Sequence, residues 1–230
     1  MTGSASSQAG TPQVVPLSIG SGQSVDTELI ARVDRACAEV EGSPGALLVL
    51  RLTGTAGDGA PPTGLSIHTV NKWERALRRL ERLDAVTIAV ADGLCAGPAL
   101  EALLAADHRI GGPGLRLRLP AAAGEPWPGM AVHRVANQVG VARSRSLVLF
   151  GAEISAVEAV GLGLVDEIAA DLDRAVSERV TAVGELTGSE LAIRRRLLLE
   201  ASAVSFEEAL GTHLAACDRT LRRMQGVQPA

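Results

Sequence analysis

Two nearly unbroken apolar runs, Ala46 to Leu50 and Val86 to Ala91, constrain this chain more than any other feature. Each has the length of a strand, and neither shows the polar/apolar alternation of a strand with one wet face. Strands buried on both faces belong to parallel sheets covered by helices on each side. The surrounding sequence supplies those helices. Ser24 is the expected cap of a helix over 25–41, where Leu29, Ile30, Val33, Cys37 and Val40 recur at helical spacing. A second amphipathic helix is expected over 70–83, with Trp73, Leu77 and Leu80 on its apolar face. A first short strand is expected over 14–19, a long loop over 53–69, a short helix over 98–106, and strands over 108–110 and 115–119. Helices are expected over 129–139, 142–150, 156–160, 172–186, 189–203 and 206–224, interrupted by the short apolar stretch Leu162 to Ile168. Alternating strands and helices in the first half specify an α/β class with mostly parallel strands. The organisation read from the sequence is a flexible tail over 1–13, a core over 14–170 and a helical C-terminal oligomerisation region over 171–230.

Composition removes several function classes. The net charge of -4 and an aromatic content of 2% argue against a nucleic-acid partner, which needs a basic face with interleaved aromatics. Cys37, Cys95 and Cys217 are far apart and odd in number, so neither a disulfide framework nor a metal site is expected. Met1 to Thr11 has neither a basic nor an apolar leader segment, and no apolar run approaches the roughly 20 residues of a membrane span. A cytoplasmic protein without membrane partners is the expectation.

The segment that points to chemistry is 86–110, VTIAVADGLCAGPALEALLAADHRI. Gly93 and Gly97 are expected to flank a tight turn between a buried strand and a short helix. Pro98 suits the first helical position, where its missing N–H goes unpaired in any case. Glu101 then falls in or near the first turn, beside the positive end of the helix. A carbonyl oxygen brought to such a turn meets backbone donors and a carboxylate, the two requirements for enolising a thioester. Read locally, the same residues equally describe a turn with a favourable dipole partner on a surface helix, or a phosphate cradle.

GLCAGPALEALLAADHRI resembles the crotonase (enoyl-CoA hydratase/isomerase) signature, a glycine-rich turn into a helix that bears Glu and ends in Asp, here Asp107. LPAAAGEPWPGM, with Pro120 and Pro128-Gly129, resembles the second active-site segment of that superfamily, and ISAVEAVGLGLVDEI over 154–168 resembles its Ala-x-x-Ala-x-x-x-Gly-Leu-Val segment. The resemblance implies a spiral of β-β-α turns with a helical C-terminal extension, a homotrimer or dimer of trimers, and an acyl-coenzyme A substrate. Coenzyme A enters as part of that thioester, so no separate cofactor and no metal are implied. VNKWERALRRLERL, GPALEALLAADHRI and WPGM further resemble the small hydratase-like proteins of the glycopeptide-antibiotic route to 3,5-dihydroxyphenylglycine. That likeness implies a type III polyketide synthase partner and a role in forming 3,5-dihydroxyphenylacetyl-CoA by dehydration.

Carried over residue by residue, the resemblance makes Glu101 the catalytic carboxylate. The second family glutamate falls on Ala121, which cannot move a proton, with Glu125 four residues on as the alternative to a solvated loop residue. The oxyanion loop falls on Gly64 and Leu65, with Leu65 N–H as donor and Ser66 where the family has Asp. The second donor position falls on Pro98, which has no N–H, so Gly97 or Ala99 must take over. His68, in the expected loop, is either a proton-transfer aid or an exposed residue. Three functions therefore stay open: a dehydratase-like lyase, a non-catalytic accessory subunit of the synthase, and a generic short-chain enoyl-CoA hydratase/isomerase.

Overall fold

The computed structural model describes residues 12–55, 65–119, 121–122, 125–185, 189–201 and 204–225. Strand β1 (Val14–Gly20) buries Val15, Leu17 and Ile19 on one face. Helix α1 (Thr27–Glu41) follows, capped by Asp26, whose Oδ1 accepts the Leu29 N–H at 2.8 Å. The cap is therefore Asp26 and not Ser24. Both are good capping residues, and packing chooses between them: Val25 and Ile30, the staple positions around an Asp26 cap, are both buried.

Strand β2 (Leu47–Gly54) outlasts its apolar run, and α2 (Ile67–Glu81), capped by the Ser66 hydroxyl, begins inside the segment expected to be loop. Strand β3 (Thr87–Cys95) leads into α3 (Gly97–Ala105), then β4 (His108–Gly111) and β5 (Arg116–Leu117). A small antiparallel pair, β6 (Ala121–Ala122) and β7 (Glu125–Pro126), precedes α4 (Ala131–Val139) and α5 (Val141–Leu149). The remainder is β8 (Ile154–Ser155), α6 (Ala156–Leu162), β9 (Glu167–Ile168), α7 (Leu172–Glu185), α8 (Ser189–Glu200) and α9 (Phe206–Met224).

The main sheet runs β1-β2-β3-β4-β9 with every neighbour parallel. One face carries the larger core under α1, α2 and α3, from Leu29 and Leu50 to Leu77 and Leu103. The other face packs Leu47, Val49, Ile88, Val90 and Ile110 against Val176 and Val180 of α7. The central strands are thus dry on both sides, as their unbroken apolar runs require. Strand β3 serves two neighbours. Its first half pairs with β4 (Ile88↔His108), and beyond Gly93, at φ 69°, its end pairs with β5 (Leu94↔Arg116). This transfer from one neighbour to the next gives the turn of the spiral. Gly93 therefore lies within a strand and not at its end, because β5 supplies partners for Leu94 and Cys95.

Two compact units divide the chain, residues 1–187 and 188–230. Helix α7 was expected in the C-terminal extension, but its Val176 and Val180 complete the second core face. The second unit holds α8 and α9, and α9 exposes Phe206, Leu210, Leu214 and Leu221. Among the described residues no helix is long and apolar enough to cross a membrane. The expected tail lies outside the described residues over 1–11.

Candidate active site around a buried glutamate

Every residue of α3 is buried, which is uncommon for a helix bearing a carboxylate. Its N-cap is Ala96, no side chain caps it, and Pro98 is its second residue. Gly97 is required twice over. Its φ is 52°, and an added Cβ would come within 3.0 Å of the Trp127 ring and 3.2 Å of the Ser21 carbonyl oxygen. Ser21 pins the entry to the helix: its hydroxyl donates to the Leu94 carbonyl at 2.6 Å and accepts the Ala96 N–H at 3.1 Å. Within the first turn Gly97 and Ala99 have amides without intrahelical acceptors, whereas Pro98 has none to offer.

Glu101 is the fifth helical residue, beyond the first turn, and it is fully buried. Glu101 therefore lies near the first turn, as expected, and its complete burial rules out the alternative of a dipole partner on a surface helix. The helix starts at Gly97 but the dipole's influence fades within one turn. Side chains from other elements hold this carboxyl instead. The Trp73 indole N–H of α2 donates to Glu101 Oε2 at 2.6 Å. Oε1 is buried and has no hydrogen-bond partner among the described residues. The Trp127 indole N–H is buried too; it forms no well-aligned hydrogen bond among the described residues but lies close enough to the same carboxyl to favour its ionised form.

A second carboxylate stands beside the first. Glu74 Oε1 accepts the Met130 N–H at 2.8 Å, and Oε2 accepts from the Arg134 guanidinium at 2.9 Å. Gly129 marks the meeting point: an added Cβ would lie 2.1 Å from Glu101 Oε1 and 3.2 Å from Glu74 Oε1. The glycine of the Pro128-Gly129 motif is therefore needed to let the backbone lie against both acids. Burial, reinforced by the Glu74 charge and opposed by the Trp73 hydrogen bond, pushes the Glu101 carboxyl up to about 8. Burial beside a like charge thus favours the protonated, proton-donating form of this carboxyl.

The other expected site residues separate into groups. Leu65 is half-buried against the main core, just before the Ser66 cap of α2, while Gly64 lies outside the described residues. Ser66, the replacement for the family Asp, is used as a helix cap. Ala121 sits in β6, paired with Pro126; Glu125 lies in β7, with a side chain outside the described ones. His68 is exposed on the first turn of α2 and not in a loop, because the helix begins at Ile67. His108 pairs with Glu167 at 3.0 Å, His133 with Asn137 and His213 with the Ala209 carbonyl. Asp107 is structural: its Oδ2 accepts both the N–H and the hydroxyl of Thr87, each at 2.8 Å, tying the end of α3 to the start of β3. Cys37 and Cys95 are buried thiols, and the described residues contain no group of acidic, His and Cys side chains suited to a metal.

Two participants escaped sequence reasoning. Helical spacing places Trp73 on the apolar face of α2 and does not single out Glu74. The wet face of α2 is in fact covered at Glu74 by α4, through Met130 and Arg134. The adjacent Trp-Glu pair was the available signal, since Trp is buried by preference but its N–H needs an acceptor.

A family model described as enoyl-CoA hydratase/isomerase matches residues 64–226. An enoyl-CoA-hydratase of Amycolatopsis orientalis is 47% identical over 196 residues, covering 85% of this chain and 88% of that protein. Among solved structures, an enoyl-CoA hydratase of Mycobacterium smegmatis aligns with a TM-score of 0.75 at 16% identity, over 94% of each chain. A family protein from Silicibacter pomeroyi aligns with the same TM-score of 0.75 at 19% identity, over 90% of this chain and 95% of the other. At these identities the structural matches bear on the fold alone.

Proposed function

The chain belongs to the enoyl-CoA hydratase/isomerase family, and from that premise we propose that it is a dehydratase-like lyase acting on an acyl-CoA thioester, with Glu101 as its general acid. The observation that supports this reading is the buried Glu101 carboxyl, pushed up to about 8 and left with one oxygen unpartnered. Proton donation to a departing hydroxyl needs an acid at neutral pH, and hydration by a pair of carboxylates needs a partner that Ala121 cannot provide. The thioester carbonyl oxygen is placed at the first turn of α3, with Gly97 or Ala99 as one donor and Leu65 N–H as the other. Pro98 cannot contribute, and one lost donor costs about 10²–10³ in rate in comparable sites. A reaction that ends in an aromatic ring tolerates such a loss.

The substrate we propose is the cyclised polyketide thioester made by a type III polyketide synthase, and the product is 3,5-dihydroxyphenylacetyl-CoA. Glu101 gives its proton to the ring hydroxyl, the C–O bond breaks and water departs. The adjacent ring C–H then returns a proton to the carboxylate, and the ring becomes aromatic. The exposed apolar stripe of α9 is proposed to assemble the chain as a homotrimer or dimer of trimers. The test adds wild type or Glu101→Gln to the synthase with malonyl-CoA and quantifies the aromatic thioester by mass spectrometry. Enhancement by wild type alone supports the acid. Equal enhancement by both makes the protein an accessory subunit, and turnover of crotonyl-CoA without enhancement makes it a short-chain hydratase.

A further inference from the structure

Glu101 Oε1 is a buried acceptor without a hydrogen bond, and another acceptor, Glu74 Oε1, lies with it against Gly129. Two carboxylate oxygens cannot satisfy each other, and burying such a pair with both charges is unfavourable. A single proton between them removes the repulsion and provides Oε1 with its missing bond. The surroundings decide which carboxyl carries it. Glu74 has Arg134 on one oxygen and a backbone N–H on the other. Arg134 is 7% exposed, so its charge is poorly screened, and among the described residues Glu81 at the end of α2 is its only other acid, at 3.9 Å. Among the described residues no cation faces Glu101; the charged group beside it is Glu74 from α2, and Trp73 and Trp127 turn their indole N–H groups towards it.

We propose that Glu74 is a positioning residue that shares one proton with Glu101 through their Oε1 atoms, so that the site enters its reaction with Glu101 as the acid. This rests on the reading of Glu101 as the acid of the site. The arrangement replaces the missing acid at Ala121 with one from a different element, α2, and changes its task. Glu74, held by the Met130 N–H and Arg134, keeps the proton on Glu101 before reaction and opposes the charge that Glu101 acquires on donating it. The same opposition speeds return of a proton from the ring C–H, so both halves of the elimination use it.

Native tryptophan fluorescence tests this without substrate, because the protein's two tryptophans, Trp73 and Trp127, both face the Glu101 carboxyl. Wild type is expected to show a pH transition with a midpoint near 8, absent from Glu101→Gln. In Glu74→Gln the like charge is gone, and the midpoint is expected to fall by about one pH unit or more. Should Glu74→Gln not fold, as judged by circular dichroism, Glu74→Asp serves: it keeps the charge but withdraws it by a methylene, and the midpoint must still fall. A purely structural role for Glu74 leaves the midpoint of the folded variant in place, and that result overturns the proposal even if Glu101→Gln abolishes aromatisation. A falling midpoint supports it even if no aromatic product forms, in which case the proposed substrate alone is wrong.

Discussion

Replacing Glu101 by Gln should stabilise the protein, and by an amount that depends on pH in a stated direction. The folded carboxyl lies near 8 and the unfolded one at 4.5. Between those values the native state binds a proton that the unfolded state has lost, so wild-type stability falls as pH rises through this window and levels off above about 8. At about 1.4 kcal/mol per pH unit, the full cost is on the order of 5 kcal/mol above the window and about 1 kcal/mol at pH 5. Gln keeps an oxygen for the Trp73 N–H and gives Glu74 an N–H, so it mimics the protonated acid without the ionisation cost. Urea unfolding followed by tryptophan fluorescence at pH 5 and pH 9.5 measures the difference, since both reporters sit at the site. The advantage of the variant should grow by roughly 4 kcal/mol between the two conditions. An advantage independent of pH refutes the assignment of the proton to Glu101. A variant less stable than wild type at pH 9.5 refutes the claim that burial of this charge is costly. Gain of stability with loss of activity is the pattern of a residue kept for chemistry.

Gly129→Ala places a methyl 2.1 Å from Glu101 Oε1, so the acid must move; a loss of about 1–3 kcal/mol in urea unfolding and loss of the fluorescence transition near pH 8 are expected. Wild-type behaviour of this variant would mean that the carboxyl is free to swing away. Trp73→Phe removes the larger of the two indole contacts that favour the ionised carboxyl, so the midpoint read from Trp127 should rise above 8, and a fall would reverse the stated cause. Asp107→Ala strands the Thr87 N–H and hydroxyl and should cost about 1–3 kcal/mol in unfolding free energy, with the midpoint unchanged.

Much of the framework is legible residue by residue. The runs at 46–50 and 86–91 read as doubly buried strands because a parallel strand between helix layers has no wet face, and β2 and β3 occupy those positions. Helices α4 to α9 start and stop within a few residues of their expected bounds, since helical spacing is a local property. The resemblance also singled out Glu101, and the structure buries that side chain completely. What local reading missed shares one feature, dependence on a partner distant in the chain. Strand β3 continues past Gly93 because β5 waits beyond it. Asp26 rather than Ser24 caps α1 because Val25 and Ile30 are drawn into the same core.

Sequence alone thus determined the α/β class, the order of the elements and the one acid worth testing, because spacing and residue type act over a few neighbours. Tertiary structure decided the surroundings of that acid and its affinity for a proton. Trp73, Glu74, Trp127 and Gly129 come from segments far apart in the chain, and only their convergence around α3 leaves Glu101 dry, beside a like charge and short of one hydrogen bond. A carboxyl's proton affinity is set by the dielectric and charges within a few ångströms, and those are properties of the folded arrangement and not of the chain.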